Sequence, residues 1–269
     1  TPQGMNNLFY DYYQKAQADP KWFLYKAKVS DTKIIDDDEL AAARAVMGNE
    51  KYAQEFECSF IGNIVGSIYG DLISTLEDKK QIGRVPYDPG YLVSTAWDIG
   101  FSDATAIIFF QQVSQSINII DYEEDIKFAF PHYAQILKEK DYIYDKHIGP
   151  HDLEQTSFES GKSLREVAYQ MKVRFRIAPR VKLDDGIHAA KMLLPRCYFD
   201  GDKCSKLIRA LRHYHRKFSD KERVFKLKPV RDFSTHGCDA MRYLAVGLNE
   251  QKIFNRNKQE LADNRYNIL

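Results

Sequence analysis

The chain of 269 residues is poor in the residues that mark several common protein classes. It has 4 cysteines, 2 tryptophans and 5 methionines. Cys58, Cys197, Cys204 and Cys238 form no C-x-x-C pair, and no signal-peptide pattern stands ahead of them. A disulfide-stapled secreted scaffold is therefore not expected, and a reduced, cytoplasmic protein is. Cys197 and Cys204 precede His213 and His215, which allows a zinc site, but the spacing fits no common zinc module. No apolar run reaches the ~18 residues that span a bilayer, so no membrane partner is expected. A complete phosphate-binding loop is also missing. Ser160-Gly161-Lys162-Ser163 matches only the end of that motif, and the position five before Gly161 is Thr156 where the pattern needs glycine. This stretch reads as a loop leading into a helix, with Lys162 placed to meet a phosphate. The chain opens on Thr1, not Met, as a piece of a longer protein would.

What is abundant is apolar and aromatic residues, with 17 Tyr and 16 Phe, enough for one large domain or a domain plus an appendage. The formal net charge of +1 hides a strong asymmetry. Residues 1–100 hold 10 Lys/Arg against 15 Asp/Glu, a net of −5, whereas residues 160–231 hold 20 against 7, a net of +13. A segment so basic suits a polyanion.

Residues 7–18 read as a Tyr-rich helix, Trp22–Val29 as a strand, and the run after Asp36-Asp37-Asp38 as a helix closed by Gly48. Residues 77–90, with three Pro and Gly in their second half, read as a linker. Beyond it, Leu92–Asp98, Thr105–Val113 and Ile117–Tyr122 form an antiparallel meander. Helices are expected over Phe128–Lys138, Leu164–Met171, Ile187–Leu194, Lys203–Lys217 and Gly237–Leu248. Strands are expected over Tyr142–Asp145, Val173–Ile177 and Cys197–Phe199. A meander followed by alternating helix and strand implies an α/β fold, a mixed sheet flanked by helices.

Three acids fall at element ends. Asp98 closes the first meander strand, Asp152 follows the fourth strand in Gly149-Pro150-His151-Asp152, and Asp239 stands in the first turn of the last helix. If the first and fourth strands are neighbours, Asp98 and Asp152 leave the sheet at one edge, and Asp239 reaches it from a helix packed there. Converging carboxylates repel unless a cation neutralises them, and hard oxygen donors suit Mg²⁺ or Mn²⁺. Two such ions support phosphodiester hydrolysis. Singly, each acid is equally at home as a turn or helix cap. His236 lies three residues before Asp239, placed to bind metal or move a proton. Asp103 is a candidate supporting group for Asp98, and Asp121 reads as a strand-end residue. Lys162, Arg174, Arg176, Arg180, Lys206, Arg209 and Arg216 are the candidate DNA-backbone contacts. Lys206, Arg209, His213, Arg216 and Lys217 share a helical spacing that would make one face positive.

Trp97-Asp98-Ile99-Gly100, Gly149-Pro150-His151-Asp152, Asp184-Asp185-Gly186-Ile187 and Thr235-His236-Gly237-Cys238-Asp239-Ala240-Met241-Arg242-Tyr243 resemble, in this order, blocks of the nuclease domain of tailed-phage terminase large subunits. Thr1-Pro2-Gln3-Gly4 is similar to the segment that couples ATP hydrolysis to motion in that family, and Asp38–Phe60 to its lid helices. The resemblance implies an RNase H-like fold over residues 86–250. Residues 1–85 would be the end of the packaging ATPase domain and 251–269 a polar mobile tail. It implies metal-dependent cleavage of double-stranded, concatemeric phage DNA, with Asp98, Asp152 and Asp239 as ligands of two ions and His236 assisting. ATP would bind only in an N-terminal portion outside this chain. In the intact protein the partners would be a small terminase subunit and the portal, with oligomers only on the portal, in the host cytoplasm. A transposase, a junction resolvase or a non-catalytic DNA-docking module are the rival readings.

Overall fold

The computed structural model describes residues 8–59, 66–100, 103–156, 161–219 and 221–248. The Thr1–Gly4 segment, Phe101-Ser102, Ser160 and the 251–269 tail lie outside them. Towards the N-terminus stand α1 (Leu8–Ala18), α2 (Val29–Thr32) and α3 (Asp37–Phe56). Asp36 caps α3 by accepting from the Asp38 backbone N–H at 2.9 Å, and three acids in the first turn favour its dipole. Gly48 does not close this helix as expected. It takes φ 79°, ψ 162° and kinks it, a conformation glycine tolerates without a Cβ clash. The strand expected over Trp22–Val29 is not formed. That stretch is irregular, apart from the Val29 that opens α2. Phe23 is 92% exposed, and a strand without a neighbour has no ladder bonds to hold it.

The remaining elements are α4 (Gly70–Asp78), β1 (Ile82–Gly83), β2 (Val93–Asp98), β3 (Ala104–Val113), β4 (Ser116–Ile126), α5 (Phe130–Glu139), β5 (Tyr144–Gly149), a 3-10 turn (His151–Glu154), α6 (Leu164–Gln170), β6 (Phe175–Ile177), α7 (Leu183–Leu193), β7 (Cys197–Asp200), α8 (Ser205–His213), β8 (Arg216–Ser219), β9 (Val224–Pro229) and α9 (residues 235–248). The main sheet has the order β1-β7-β4-β3-β2-β5-β6. β2, β3 and β4 form an antiparallel meander, and β5 then joins β2 in parallel, with β6 beyond it. A meander whose first strand is flanked on its other side by two parallel crossover strands is the RNase H-like arrangement. β7 and β1 extend it on the β4 side.

Both faces of this sheet are covered, as parallel pairing by crossover helices requires. β3 buries its first eight residues. Because side chains alternate along a strand, Ala96 faces one core with Ile108, Ile148, α7, α8 and α9, while Trp97 faces the other with Ile107, Phe130, Tyr133 and Phe175. The helices are held by apolar stripes: Leu207, Ile208, Ala210 and Leu211 on α8, and Cys238, Met241, Leu244 and Ala245 on α9.

Four further expectations change. The linker region holds the end of α4 and the strand β1, which pairs with β7. Ile73 and Leu76 of α4 are buried in the α7–α8–α9 core. β4 continues past Tyr122 to Ile126, so Asp121 is a mid-strand residue. Its carboxylate accepts from Lys140 Nζ at 2.6 Å and from the Tyr142 hydroxyl at 3.1 Å. The basic helix ends at His213, and residues 216–229 form a separate antiparallel hairpin, β8–β9. Lys217 and Arg216 therefore leave the α8 face. Cys197 and Cys204 are buried and bond to the Leu193 and Ile119 carbonyls. They take no part with the histidines. Among the described residues no helix is long and apolar enough to cross a membrane.

Two features of this packing carry stability. Gly247 faces Ile148 of β5, and a Cβ there would come within 2.7 Å of the Ile148 Cγ2 methyl. We expect Gly247→Val to cost about 2 kcal/mol in urea unfolding, because overpacking by 1–3 kcal/mol outweighs the ~0.5 kcal/mol gained from leaving glycine. The second is the chain Trp97 Nε1–H to Thr95 Oγ1 at 2.6 Å and Thr95 Oγ1 to His147 Nδ1 at 2.7 Å, which suits a neutral imidazole accepting at Nδ1. Burial lowers the His147 pKa from 6.5 to about 4. The unfolded chain takes up this proton below pH 6.5 and the fold resists it until about 4. Stability is therefore full above 6.5 and falls as the pH drops through this window. The stability difference between wild type and His147→Gln should shrink by about 3 kcal/mol from pH 7 to pH 4.

Candidate active site

β2 and β5 run parallel, with Thr95 opposite His147 and Ala96 opposite Ile148. Their C-terminal ends therefore lie at one edge of the sheet. Asp98 is the last residue of β2 and shares the Ala96 face, the face covered by α9. Asp152 follows β5 in the 3-10 turn. That turn is pressed against the sheet at Gly149, where a Cβ would sit 2.2 Å from Leu153 Cδ1 and 2.8 Å from Phe175 Cδ1. α9 starts at this edge because Asp232 accepts from the Ser234 N–H at 2.9 Å and the Thr235 hydroxyl accepts from the Asp232 N–H at 3.1 Å. Its first turns carry His236 and Asp239.

The His236 ring meets Asp98 at 3.0 Å, Nδ1 to Oδ2, across 138 positions of sequence. Sequence spacing associates His236 with Asp239; the fold directs it to Asp98. Burial raises the Asp98 carboxyl above its ordinary range. The His236 hydrogen bond opposes that rise and the Asp239 charge adds to it. His236 is raised in turn, chiefly by its bond to Asp98 against burial, with help from Asp98, Glu124 and Asp103. Asp239 is gripped by Arg242, whose Nε at 3.0 Å and Nη2 at 2.9 Å both converge on Oδ1, charge-assisted bonds that leave Oδ2 free of this guanidinium. Burial works against the Arg242 charge, and the carboxylate of Asp239 more than offsets it. Gly186 of α7 lies against this guanidinium, where a Cβ would sit 3.1 Å from Nη1. Asp152 is the open member, with 58% of its side chain exposed. It accepts from Gln155 Nε2 at 2.7 Å and stands 3.4 Å from His151 Nε2.

Tyr243 lies within electrostatic range of all three acids. Its hydroxyl is pushed up to about 12, first by burial and then by the charge of Asp98, with Asp239 and Asp152 adding. Asp103 is exposed and close enough to His236 to act on its charge. Gly100 is confined by its own turn: a Cβ would meet the Ala104 carbonyl at 3.0 Å and Asp103 Cβ at 3.1 Å. A bulkier residue there would crowd the elbow itself. Glu124 is a further acid at this edge, absent from the sequence-derived set. Register places Asp98, Ala106 and Glu124 in one row across β2, β3 and β4, on one face. Glu124 accepts from the Tyr122 hydroxyl at 2.9 Å. Ile120, Tyr122 and Ile126 at period two around Glu124 are the signal that could have found it.

The seven basic candidates are spread over several elements. Lys162 and Arg180 are exposed in loops, Arg174 stacks over Tyr169 at 5.4 Å beside β6, and Arg176 lies in β6. Lys206 and Arg209 are on α8, with Arg209 over the Phe233 ring at 5.3 Å. Arg216 is in β8 and pairs with Asp184 at 2.5 Å. Ser163 caps α6 in a capping box with Glu166, so the Gly161-Lys162-Ser163 stretch is a helix start, as expected.

The Arg242–Asp239 pair is largely desolvated. Arg242→Met strands a carboxylate beside Asp98, and we expect a loss of about 3 kcal/mol in denaturant unfolding, recovered in part by the double change with Asp239→Asn.

No family model matches the chain. The terminase large subunit of Escherichia phage T5 is 24% identical over 265 residues, covering 94% of this chain and 58% of that protein. The chain therefore spans a little over half the length of this relative. The large terminase of a thermophilic bacteriophage shares the fold at 16% identity with a TM-score of 0.52, over 91% of this chain and 60% of that one. Over 94% of its length the chain is thus similar in sequence to a phage terminase large subunit, and over 91% it shares the fold of another.

Proposed function

We propose that the chain is the nuclease-bearing part of a DNA-packaging motor subunit and cuts double-stranded concatemeric DNA with divalent metal ions. What supports this reading is the shared sheet edge: Asp98 ends β2, Asp152 follows its parallel neighbour β5, and α9, which carries Asp239, is tied to Asp98 by His236. The residues suit such a cation. All three donors are hard carboxylate oxygens. Asp98 is a buried carboxyl whose charge is disfavoured by burial and by Asp239, a cost that a bound cation relieves. Asp98, Asp152 and Asp239 would hold Mg²⁺ or Mn²⁺. When bound, two such ions supply an activated water and stabilise the leaving oxygen.

The chain's own residues prepare this site. His236 holds the Asp98 carboxylate and is placed to take or give a proton. Arg242 fixes Asp239. The exposed Arg174, Arg180 and Lys206 are suited to grip phosphates without reading bases. The helices α1 to α3 fit the end of an ATPase domain whose nucleotide-binding motifs would lie outside this chain, whereas α4 and β1, also within residues 1–85, pack with the main sheet; the small subunit and portal would be partners of the whole protein in the host cytoplasm.

Asp98→Asn, Asp152→Asn and Asp239→Asn should each slow Mn²⁺-dependent plasmid cleavage about a hundredfold or more, some 3 kcal/mol of transition-state stabilisation. Duplex binding in a mobility-shift assay should change less than about threefold. Wild-type cutting by all three variants would sink the assignment. The net +13 of residues 160–231 favours one second reading, a non-catalytic DNA-docking module. That reading expects salt-dependent binding and no metal-dependent cutting in the wild type.

A further inference from the structure

His213 ends α8, His215 precedes β8, and Asp232 follows β9 by three residues. The two histidines and the aspartate thus bracket the hairpin 216–229 in sequence, and the fold brings them together at its base. One ligand atom from each lies within 4.8 Å of the others. His213 Nε2 is 3.1 Å from Asp232 Oδ2, close to the ~3.3 Å that separates two ligand atoms held at about 2.0–2.1 Å on a tetrahedral ion. The two imidazoles stand edge to face, with centroids 5.1 Å apart at 82°.

Two of the three ligands are oriented from behind. His215 Nδ1 lies 2.8 Å from the His213 carbonyl, which makes Nδ1 the protonated nitrogen and leaves Nε2 as the ligand atom. Asp232 Oδ1 accepts from the Ser234 N–H and hydroxyl at 2.9 and 2.5 Å, turning Oδ2 to the histidines. Burial lowers the His213 pKa, with the charges of His215 and Arg209 adding and Asp232 opposing. The neutral ring required of a ligand is thereby favoured. The His213–Asp232 contact is satisfactory as a plain hydrogen bond; the third ligand, His215, has no part in that bond.

We propose that His213, His215 and Asp232 bind one transition-metal ion of the Zn²⁺ class, with solvent in the fourth position, and that this ion clamps the base of the β8–β9 hairpin to the start of α9. Two imidazoles and one carboxylate select a borderline ion, in contrast to the all-oxygen set of Asp98, Asp152 and Asp239. A clamp has something to hold there. An isolated two-stranded hairpin is marginal in water, and this one exposes Phe218, Val224, Phe225 and Leu227. A backbone bond from the Arg216 N–H to the Gly66 carbonyl joins its start to the body, and one from the Val230 N–H to the His215 carbonyl closes its base, both at 2.9 Å.

The test is calorimetric titration of the full chain with ZnCl₂ after EDTA treatment, in an Asp98→Asn, Asp239→Asn background that disables the other acidic site. One equivalent should bind. His215→Ala should weaken binding at least tenfold while leaving the metal-free melting temperature within about 2 °C, since it spares the His213–Asp232 bond. Asp232→Asn should weaken it similarly. Zn²⁺ should slow amide hydrogen exchange over residues 216–229 in the parent and not in His215→Ala. Binding in His215→Ala as tight as in the parent, or no binding by the parent at 1 mM ZnCl₂, overturns the proposal. Neither result bears on Asp98, Asp152 and Asp239, which the cleavage assay tests separately.

Discussion

Asp98 occupies a place where a carboxylate is costly, the last residue of a central strand on the face that α9 covers. Left alone there, it would cost several kcal/mol or take up a proton. His236 answers it with a hydrogen bond, and Arg242 holds the neighbouring Asp239 so that two acids share the edge without a free negative pair. The surrounding packing serves this arrangement. Trp97 anchors the opposite face of the same strand, with Phe175 at 5.2 Å and Phe130 at 6.0 Å. Gly247 lets α9 lie close on β5, and Gly149 lets the Asp152 turn close on the sheet.

Much of this is legible from residue order. The meander and the crossover strands follow from alternation and apolar runs; the parallel β2–β5 pairing, only a condition in the sequence, is supplied by the fold and brings Asp98 and Asp152 to one edge. The N-terminal strand does not form because alternation in Trp22–Val29 says nothing about a partner strand, and none is paired with it. The helix expected through Lys217 fails for a related reason. Positive charge and apolar residues (Leu211, Tyr214, Phe218) continue at helical spacing past His213, but the backbone leaves the helix at Tyr214 (φ −57°, ψ 111°) and residues 216–219 pair with β9 instead. Glu124 escapes notice because the chain turns acidic at Tyr122, where a strand read from apolar content stops; ladder bonds to β3 carry β4 on regardless. The His236–Asp98 contact depends on tertiary placement over 138 residues, which spacing along one helix cannot report.

The same end of α9 serves two kinds of donor. Its first turn offers His236 and Asp239 to the sheet edge, while the turn before it offers Asp232 to the histidines of α8 and β8. Asp103, Glu124, Asp232 and His236 line one groove between them. Arg231 lines it as well, so charge within it is mixed, in contrast to the excess of basic residues over 160–231.

The long reach of the His236–Asp98 bond also bears on the order of assembly. The meander is built from neighbours in sequence and can form while the chain is short. Asp98 then waits at a strand end until α9 is made and docked. A protein assembled in this order acquires its acidic edge as one of its last long-range contacts, and the integrity of that edge reports on completion of the whole domain.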